Sequence, residues 1–335
     1  MEITLTGITT TGTPHLGNYV GAILPAIEAS RRKDVQSFYF LADYHALVKC
    51  QDPALVHRSR LEVAATWLAL GLDVENVIFY AQTDIPEILE LTWIITCVTA
   101  KGLMNRAHAY KAAVAENTAD AGNDPDRGVT MGLFCYPILM AADILMFKAS
   151  KIPVGKDQIQ HLEMARDIAA RFNYLYGEHF VLPEAVVDEK TAVLVGLDGR
   201  KMSKSYGNTI PLFEPEKALR KLIMRIKTNS LPPEAPKDAD TCTLFQLYQA
   251  FASTEETAAI RRRYAQGIGW GEMKQILFEL LNARLSEPRQ RYHELLGKPD
   301  YIEQILKQGA ARAREYSMPF LQQLRRAVGI RPLSV

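Results

Sequence analysis

Short apolar runs recur through the first 210 residues and alternate with segments of helical periodicity. Glu2 to Ile8 alternates between the two faces of a strand and is rich in β-branched residues, so it predicts a strand. Further strands are predicted at 36–41, 77–81, 152–154 and 191–197. Strands that alternate with helices favour an α/β fold with a doubly wound, parallel sheet of the Rossmann type.

Helices are predicted between these strands, where apolar residues recur every three to four positions. Asp52 and Pro53 are a typical helix start, with Asp as N-cap and Pro in the first turn. Residues 115–129 are acidic and contain two glycines, so they predict a flexible loop inside an insertion at about 101–130. The predicted helices cover residues 15–32, 53–70, 86–100, 131–147 and 157–176.

The pattern changes near residue 210, after which only helical periodicity is evident. We therefore expect a catalytic domain at 1–210 and a helical domain at 211–335, with helices ending near residue 328. The helices expected in the second part cover residues 215–227, 244–252, 255–264, 272–296 and 301–328.

Composition narrows the class of protein without identifying it. The 335 residues are 48% hydrophobic and 23% charged, which is usual for a globular protein, and the net charge is +1. The four cysteines form no C-x-x-C pair, and no apolar run approaches about 18 residues, the length of a membrane span. Because a signal-peptide pattern is also lacking at the N-terminus, we expect a cytoplasmic protein with reduced cysteines and no membrane segment.

Two motifs indicate a nucleotide site. Lys201-Met202-Ser203-Lys204-Ser205 has two lysines three positions apart and lies among glycines, which suits a mobile cationic loop. His15-Leu16-Gly17-Asn18 follows the first strand and a turn, and opens a helix. A strand, a turn of small residues and a helix start form a phosphate-binding arrangement, because free N–H groups and the helix dipole face the anion.

These motifs carry a resemblance to a known family. Lys201 to Ser205 is identical to the second signature of the class I aminoacyl-tRNA synthetases, and His15 to Asn18 resembles the first. Tyr136 to Leu145 and Pro153 to His161 are similar to the bacterial tryptophanyl-tRNA synthetases, and the resemblance covers essentially the whole chain. One departure is Thr9-Thr10-Thr11-Gly12, where the family usually has Gln-Pro-Ser-Gly.

The resemblance implies a ligase that activates L-tryptophan with ATP and transfers it to tRNA(Trp), acting as a homodimer with Mg²⁺ bound to the ATP. By resemblance His15, Asn18, Lys201 and Lys204 are catalytic. Taken in isolation, His15 would be interpreted as a plain helix N-terminal residue, and a helix-cap role for Asp157 is compatible with ligand binding. The ATP-binding residues expected are Thr9, Thr10, Thr11, Gly17, Asn18, Gly155, Lys156, Asp157, Val193, Leu194, Lys201, Met202, Ser203, Lys204 and Ser205.

Indole has one polar atom, a donor, so its recognition requires one acceptor in an apolar pocket. Asp143 lies in an apolar segment and is the candidate acceptor, although it could instead be a buried salt-bridge partner. Tyr136 and Gln158 are candidates for binding the α-amino group. The other tryptophan-binding residues expected are Leu5, Gly7, His45, Met140 and Val154. His108, His161 and His179 belong to no motif and are expected to be structural or exposed.

Three alternatives remain open at this stage. The chain could be a tyrosyl-tRNA synthetase of the same subclass, an adenylyltransferase that does not bind tRNA, or a catalytically silent RNA-binding relative. The basic stretches at 261–263, 312–314 and 325–326 could contact tRNA phosphates, but a solvated helix face is at least as plausible for each.

Overall fold

Five parallel strands form the centre of the protein. The structure is a computed structural model that describes residues 2–119, 124–155, 158–186 and 194–333. The strands are β1 (Glu2–Thr9), β2 (Val35–Ala42), β3 (Ile78–Ala81), β4 (Lys151–Pro153) and β5 (Glu184–Val186). Their order in the sheet is β3-β2-β1-β4-β5.

The strand order confirms the doubly wound fold. From β1, the strands β2 and β3 are added on one side of the sheet, and β4 and β5 are then added on the other side of β1. The register pairs Leu5 with Phe38 and Thr4 with Lys151, so β1 is central. In such a sheet, ligands bind beyond the carboxyl ends of the strands at the point where the order reverses. That point lies here between β1 and β4.

Helices account for most of the remaining structure. Those before β5 are α1 (Leu16–Asn18), α2 (Leu24–Ser30), α3 (Asp43–Ala46), α4 (Pro53–Ala69), α5 (Pro86–Thr96), α6 (Lys101–Met104), α7 (His108–Asn117), α8 (Met131–Met146) and α9 (Ile159–Tyr176). Those after it are α10 (Glu216–Met224), α11 (Thr243–Gln249), α12 (Thr254–Gln266), α13 (Trp270–Leu296) and α14 (Pro299–Ala327).

The first predicted helix, 15–32, is interrupted. A π-helical turn at Tyr19–Ile23 separates α1 from α2, and Pro25 lies in the first turn of α2. Proline has no N–H and its ring crowds the preceding turn, so the regular hydrogen-bond ladder cannot continue through it. The predicted helix at 86–100 also ends early, at Thr96.

One strand prediction was wrong in its described part, and one strand was missed. Residues 191–193 of the strand predicted at 191–197 lie outside the described residues, and its remainder forms only an isolated bridge between Val195 and Lys201. Strand β5 was not predicted. It is three residues long and all three are exposed, so it shows no alternation of buried and exposed positions.

The predicted loop at 115–129 is partly helical. Helix α7 continues to Asn117, whose amide donates to the carbonyl oxygens of Pro125 and Arg127, both at 2.8 Å. Tyr110 packs edge-on against Phe134 of α8. Residues 125 and 127 are therefore tied to the end of α7, which itself packs against α8, while residues 120–123 lie outside the described part.

Apolar side chains bury both faces of the sheet. Tyr39, Leu41 and Phe79 join a cluster that continues through α4 into the helices after residue 210. Phe38 and Tyr80 join the other, with α5, α8 and α9. This alternation along β2 and β3 is the pattern of a sheet covered on both sides.

Candidate active site

His15 forms the N-cap of α1 in a reciprocal capping box. Its Nδ1 accepts the backbone N–H of Asn18 at 3.3 Å, and Asn18 Oδ1 accepts the N–H of His15 at 3.1 Å. The side chain is buried, and this burial, together with the charge of Lys204, lowers the pKa of His15 to about 4. The ring is therefore neutral near pH 7, and because Nδ1 accepts, its proton lies on Nε2.

The two motifs meet directly. The backbone N–H of Gly17 donates to Met202 Sδ at 3.4 Å, across 185 positions of sequence. A β-carbon at Gly17 would lie 3.0 Å from the His15 ring and 3.5 Å from Met202 Cβ, so glycine permits this approach. Backbone bonds from Leu16 N to Ile210 O and from Leu212 N to Pro14 O reinforce the junction.

The second lysine of the motif reaches the turn after β1. Lys204 Nζ donates to the carbonyl oxygen of Thr11 at 2.5 Å. Gly12 adopts a φ of 80° and donates its N–H to Ser59 Oγ of α4, which fixes the turn. Partial desolvation lowers the pKa of Lys204, and the nearby Glu62 opposes this shift. Lys201 is exposed and its backbone bridges to Val195.

Asn208 organises the lysine loop, and the sequence analysis missed it. Its Oδ1 accepts the N–H of Ser203 at 2.9 Å, while its Nδ2 donates to Asp198 Oδ1 at 2.7 Å and to Lys201 O at 3.1 Å. A β-carbon at Gly196 would lie 2.5 Å from Asn208. The hydrogen bond from Asn208 is the main cause that lowers the pKa of Asp198 to about 2.

Asp143 is buried and belongs to a polar network. His45 Nε2 donates to Oδ2 at 2.8 Å, and Gln82 Nε2 donates to both oxygens at 2.8 and 3.0 Å. Gln82 is oriented by the N–H of Tyr44, which donates to Gln82 Oε1. Burial raises the pKa of Asp143, and the hydrogen bonds from His45 and Gln82 oppose that rise. Gln82 was not predicted, and no motif signals it.

Tyr136 and Gln158 are joined through His161. The Tyr136 hydroxyl lies 2.6 Å from His161 Nε2, and His161 Nδ1 lies 3.0 Å from Gln158 Oε1. His161 is 5% exposed. Of the two expectations for this histidine, structural or exposed, its burial excludes the exposed one.

The expected pocket walls lie on one apolar cluster. Leu5 and Phe40 belong to the cluster, and Met140 and Val154 pack against it. A β-carbon at Gly7 would lie 2.5 Å from the Phe40 ring, so the absence of a side chain at Gly7 allows this ring to lie against the backbone of β1. Tyr136, Met140 and Asp143 follow helical spacing on α8 and share one face of it.

The remaining predicted residues are spread more widely. Thr10 is fully buried and its hydroxyl has no hydrogen-bond partner among the described residues. Leu194 is buried and its carbonyl accepts the N–H of Met202. Gly155 is exposed.

The hydroxyls of Ser203 and Ser205 are hydrogen-bonded to each other at 2.8 Å. Lys156, Asp157 and Val193 lie outside the described residues. Thr9 ends β1.

The C-terminal arginines are largely engaged within the chain. Arg312 donates to the carbonyl oxygens of Val74 and Val77 at 3.2 and 3.0 Å, and Arg314 pairs with Glu87 at 2.8 Å. Salt bridges also join Arg261 to Asp240, Arg263 to Glu272 and Arg325 to Glu90. A phosphate would have to compete with these contacts.

The fold and the paired motifs define a class I aminoacyl-tRNA synthetase. Residues 2–286 match the family described as tRNA synthetases class I (W and Y). Curated relatives named tryptophan–tRNA ligase include that of Pseudomonas aeruginosa, 66% identical over 98% of this chain and 74% of its own length. That of Neisseria meningitidis is 58% identical and covers 98% of both chains. The chain belongs to the tryptophan–tRNA ligase family.

Solved structures agree with this assignment. The tryptophanyl-tRNA synthetase of Campylobacter jejuni, crystallised with ADP and tryptophan, superposes with a TM-score of 0.89. It is 44% identical and the match covers 98% of this chain and 99% of that one. Among the described residues, no helix has the length and hydropathy required to cross a bilayer.

Proposed function

We propose that the chain activates L-tryptophan with ATP and transfers the tryptophanyl group to tRNA(Trp), using the residues described above. The tryptophan carboxylate attacks the α-phosphorus of ATP, the bond to the β-phosphate oxygen breaks, and pyrophosphate leaves. The terminal adenosine of tRNA then displaces AMP. The observation that carries the proposal is the hydrogen bond from Gly17 to Met202, which joins the two motifs directly.

Positioning and charge neutralisation account for the first step. A carboxylate with a pKa near 3.5 is already ionised at neutral pH, so the reaction needs no general base. Neutral His15 offers Nε2–H to a phosphate oxygen, and Gly17 lets the nucleotide lie against the backbone. Lys201 and Lys204 stabilise the departing pyrophosphate, and Mg²⁺ enters bound to the phosphates. Asn18, Thr9 to Thr11, Met202 to Ser205, Gly155, Lys156, Asp157, Val193 and Leu194 complete the proposed ATP subsite.

Asp143 is the proposed acceptor for the indole N–H. A carboxylate has about four lone-pair directions, and His45 and Gln82 use only part of that capacity. Their three hydrogen bonds hold the carboxylate in one orientation, so binding does not have to order it. Leu5, Met140 and Val154 supply apolar surface, with Gly7 beside them. Phenylalanine has no N–H to donate to the remaining acceptor direction of Asp143, which disfavours it.

The remaining assignments concern partners and location. The helical part at 211–335 is the proposed anticodon-binding domain, the enzyme is proposed to act as a homodimer on tRNA(Trp), and the compartment is the cytoplasm. Since most C-terminal arginines already have partners within the chain, exposed Arg262 and Arg326 are the better candidates for phosphate contacts.

The test is amino-acid-dependent exchange of labelled pyrophosphate into ATP, run with each of the twenty amino acids, followed by charging of tRNA. We expect exchange with tryptophan alone. Exchange with tyrosine alone would transfer the assignment to the tyrosyl branch, and exchange with none would indicate a silent relative.

Asp143→Ala tests the acceptor in the same assay. The substitution should raise the KM for tryptophan about 100-fold and leave the KM for ATP nearly unchanged, because of the proposed substrate contacts only that of the indole is lost. Asp167→Ala, which removes an exposed carboxylate on α9, is the control and should change neither. Equal effects of Asp143→Ala on both substrates would contradict the assignment.

A further inference from the structure

We propose that one cationic face of α10 binds phosphates in the acceptor arm of tRNA. This assignment rests on the proposed function, in which the 3′ end of tRNA meets the adenylate. The cationic face consists of Lys217, Arg220, Lys221 and Arg225, and all four residues are exposed. They lie outside both signature motifs.

Helical spacing places the four cations on one side of α10. At about 100° per residue they fall within an arc of about 140°, and this arc contains no acidic residue. Leu219 and Ile223 lie on the opposite side of the helix and are buried. The apolar side therefore anchors the helix, and the cationic face points to solvent.

The charge of this face has no counter-charge in contact with it. None of its four side chains forms an ion pair within the described part of the chain. Arg220 contacts only neutral groups, the side-chain oxygen of Gln275 at 3.2 Å and the ring of Phe278. By contrast, arginines of the later helices have carboxylate partners, as Arg261 and Arg325 do. The cationic face is thus free to meet an anion from outside the chain.

The positions of these charges oppose the local preferences of a helix. Lys221 is four positions from both Lys217 and Arg225, and like charges at that spacing destabilise a helix. Lys217 also lies in the first turn of α10, where the helix dipole disfavours a cation. A bound polyanion would relieve both effects, and such departures from local preference are expected at functional surfaces.

Both ends of α10 are tied to the nucleotide site. Just before the helix, the N–H of Leu212 donates to the carbonyl oxygen of Pro14 at 3.0 Å. Just after it, the N–H of Lys227 donates to the carbonyl oxygen of Leu197 at 3.2 Å. The buried side of α10 belongs to the same apolar cluster as Met202 of the lysine motif. Nine helical residues span only about 14 Å, so a phosphate on this face lies near the reacting groups. The part of tRNA that must come close there is its acceptor arm.

The experiment compares two double variants that each remove two exposed positive charges. Lys217→Gln/Lys221→Gln changes the cationic face. The control, Arg291→Gln/Lys307→Gln, changes cations that have carboxylate partners within their own helices. The Kd of a tRNA(Trp) transcript is measured on the full-length proteins between about 50 and 200 mM salt.

We expect the face variant to bind the transcript about tenfold more weakly or worse. The slope of log Kd against log salt should fall by roughly 1.5, because each phosphate contact contributes about 0.7–0.9 to it. The control should change the Kd less than about twofold, as is usual for surface substitutions.

Two further measurements separate phosphate binding from a structural role. Pyrophosphate exchange needs no tRNA, so its rate and the KM for ATP should stay within about twofold of wild type in both variants. Phosphate-ethylation interference maps the contacts on the RNA. Acceptor-arm phosphates whose ethylation weakens binding to the wild type should lose that effect in the face variant.

Equal weakening in both double variants would show a general dependence on net charge and would overturn the assignment. Slower pyrophosphate exchange with unchanged tRNA affinity would also overturn it, as would interference lost in the anticodon arm instead. Failure of the wild-type protein to exchange with tryptophan would refute the proposed function. Normal exchange and charging, together with wild-type tRNA affinity in the face variant, would refute only the role of α10.

Discussion

Helix α14 approaches the edge strand β3 so closely that only glycine fits at position 309. A β-carbon there would lie 1.7 Å from the carbonyl oxygen of Phe79 and 2.5 Å from its carbonyl carbon. The obstacle is backbone within the sheet, so no side-chain rotation can relieve it. We predict that Gly309→Ala separates the helix from the strand and destabilises the protein.

The size of the effect follows from two opposing contributions. Overpacking of this kind costs about 1–3 kcal/mol, and the very short contact argues for the upper part of that range. Alanine also improves helix propensity by about 1 kcal/mol, which offsets part of the loss. Movement of α14 further strains the bonds from Arg312 to Val74 O and Val77 O. The net loss should be about 2 kcal/mol or more.

The measurement is unfolding followed by circular dichroism, in heat and in urea, with Gly271→Ala as the matched control. Gly271 lies in α13 with no atom within 4 Å of the added β-carbon, so alanine there should be neutral or stabilising by up to about 1 kcal/mol. A midpoint for Gly309→Ala at or above that of the wild type would refute the close approach. Equal losses in both variants would show a general cost of substituting helical glycines.

Three further predictions concern the site. The pKa of His15 is near 6.5 in the unfolded chain and about 4 in the folded protein, so the free energy of unfolding should fall as the pH drops between these values. His15→Asn should remove up to about 3 kcal/mol of this pH dependence, measured in acid unfolding curves. Asn208→Ala should slow pyrophosphate exchange about tenfold or more with little change in the KM for tryptophan, because it loosens the lysine loop and leaves the pocket intact. Gln82→Leu should raise the KM for tryptophan about tenfold, since Asp143 loses a donor that orients it, and an unchanged KM would contradict that role.

The local elements and the motifs can be predicted from the sequence, because they depend on residues that are neighbours in the chain. Alternation along β1 and β2, Asp52 as an N-cap and the two signature motifs all depend on neighbouring residues, and the structure has each of these elements where expected. Strand β5 depends instead on pairing with β4. Its three exposed residues show no pattern that would distinguish them from a loop.

The polar networks of the site could not be predicted for a related reason. Gln82 and Asp143 are 61 positions apart, and either residue type is common at surfaces. Only the fold places the end of β3 beside α8, and only then does the amide acquire a partner. For His161 the sequence predicts only a structural or exposed residue, because its contacts with Tyr136 and Gln158 depend on helix packing.

The electrostatics of the motif pair favour an anion between them. Lys204 donates to a neutral carbonyl, that of Thr11, and partial desolvation lowers its pKa. The lysine charge in turn helps to keep His15 neutral. A polyphosphate would stabilise the charged lysine and would accept a hydrogen bond from His15 Nε2–H. Both side chains would therefore gain a favourable interaction with the anion. The backbone bonds between residues 14–16 and 210–212 hold the two motifs together, although partial desolvation disfavours the charged Lys204 there.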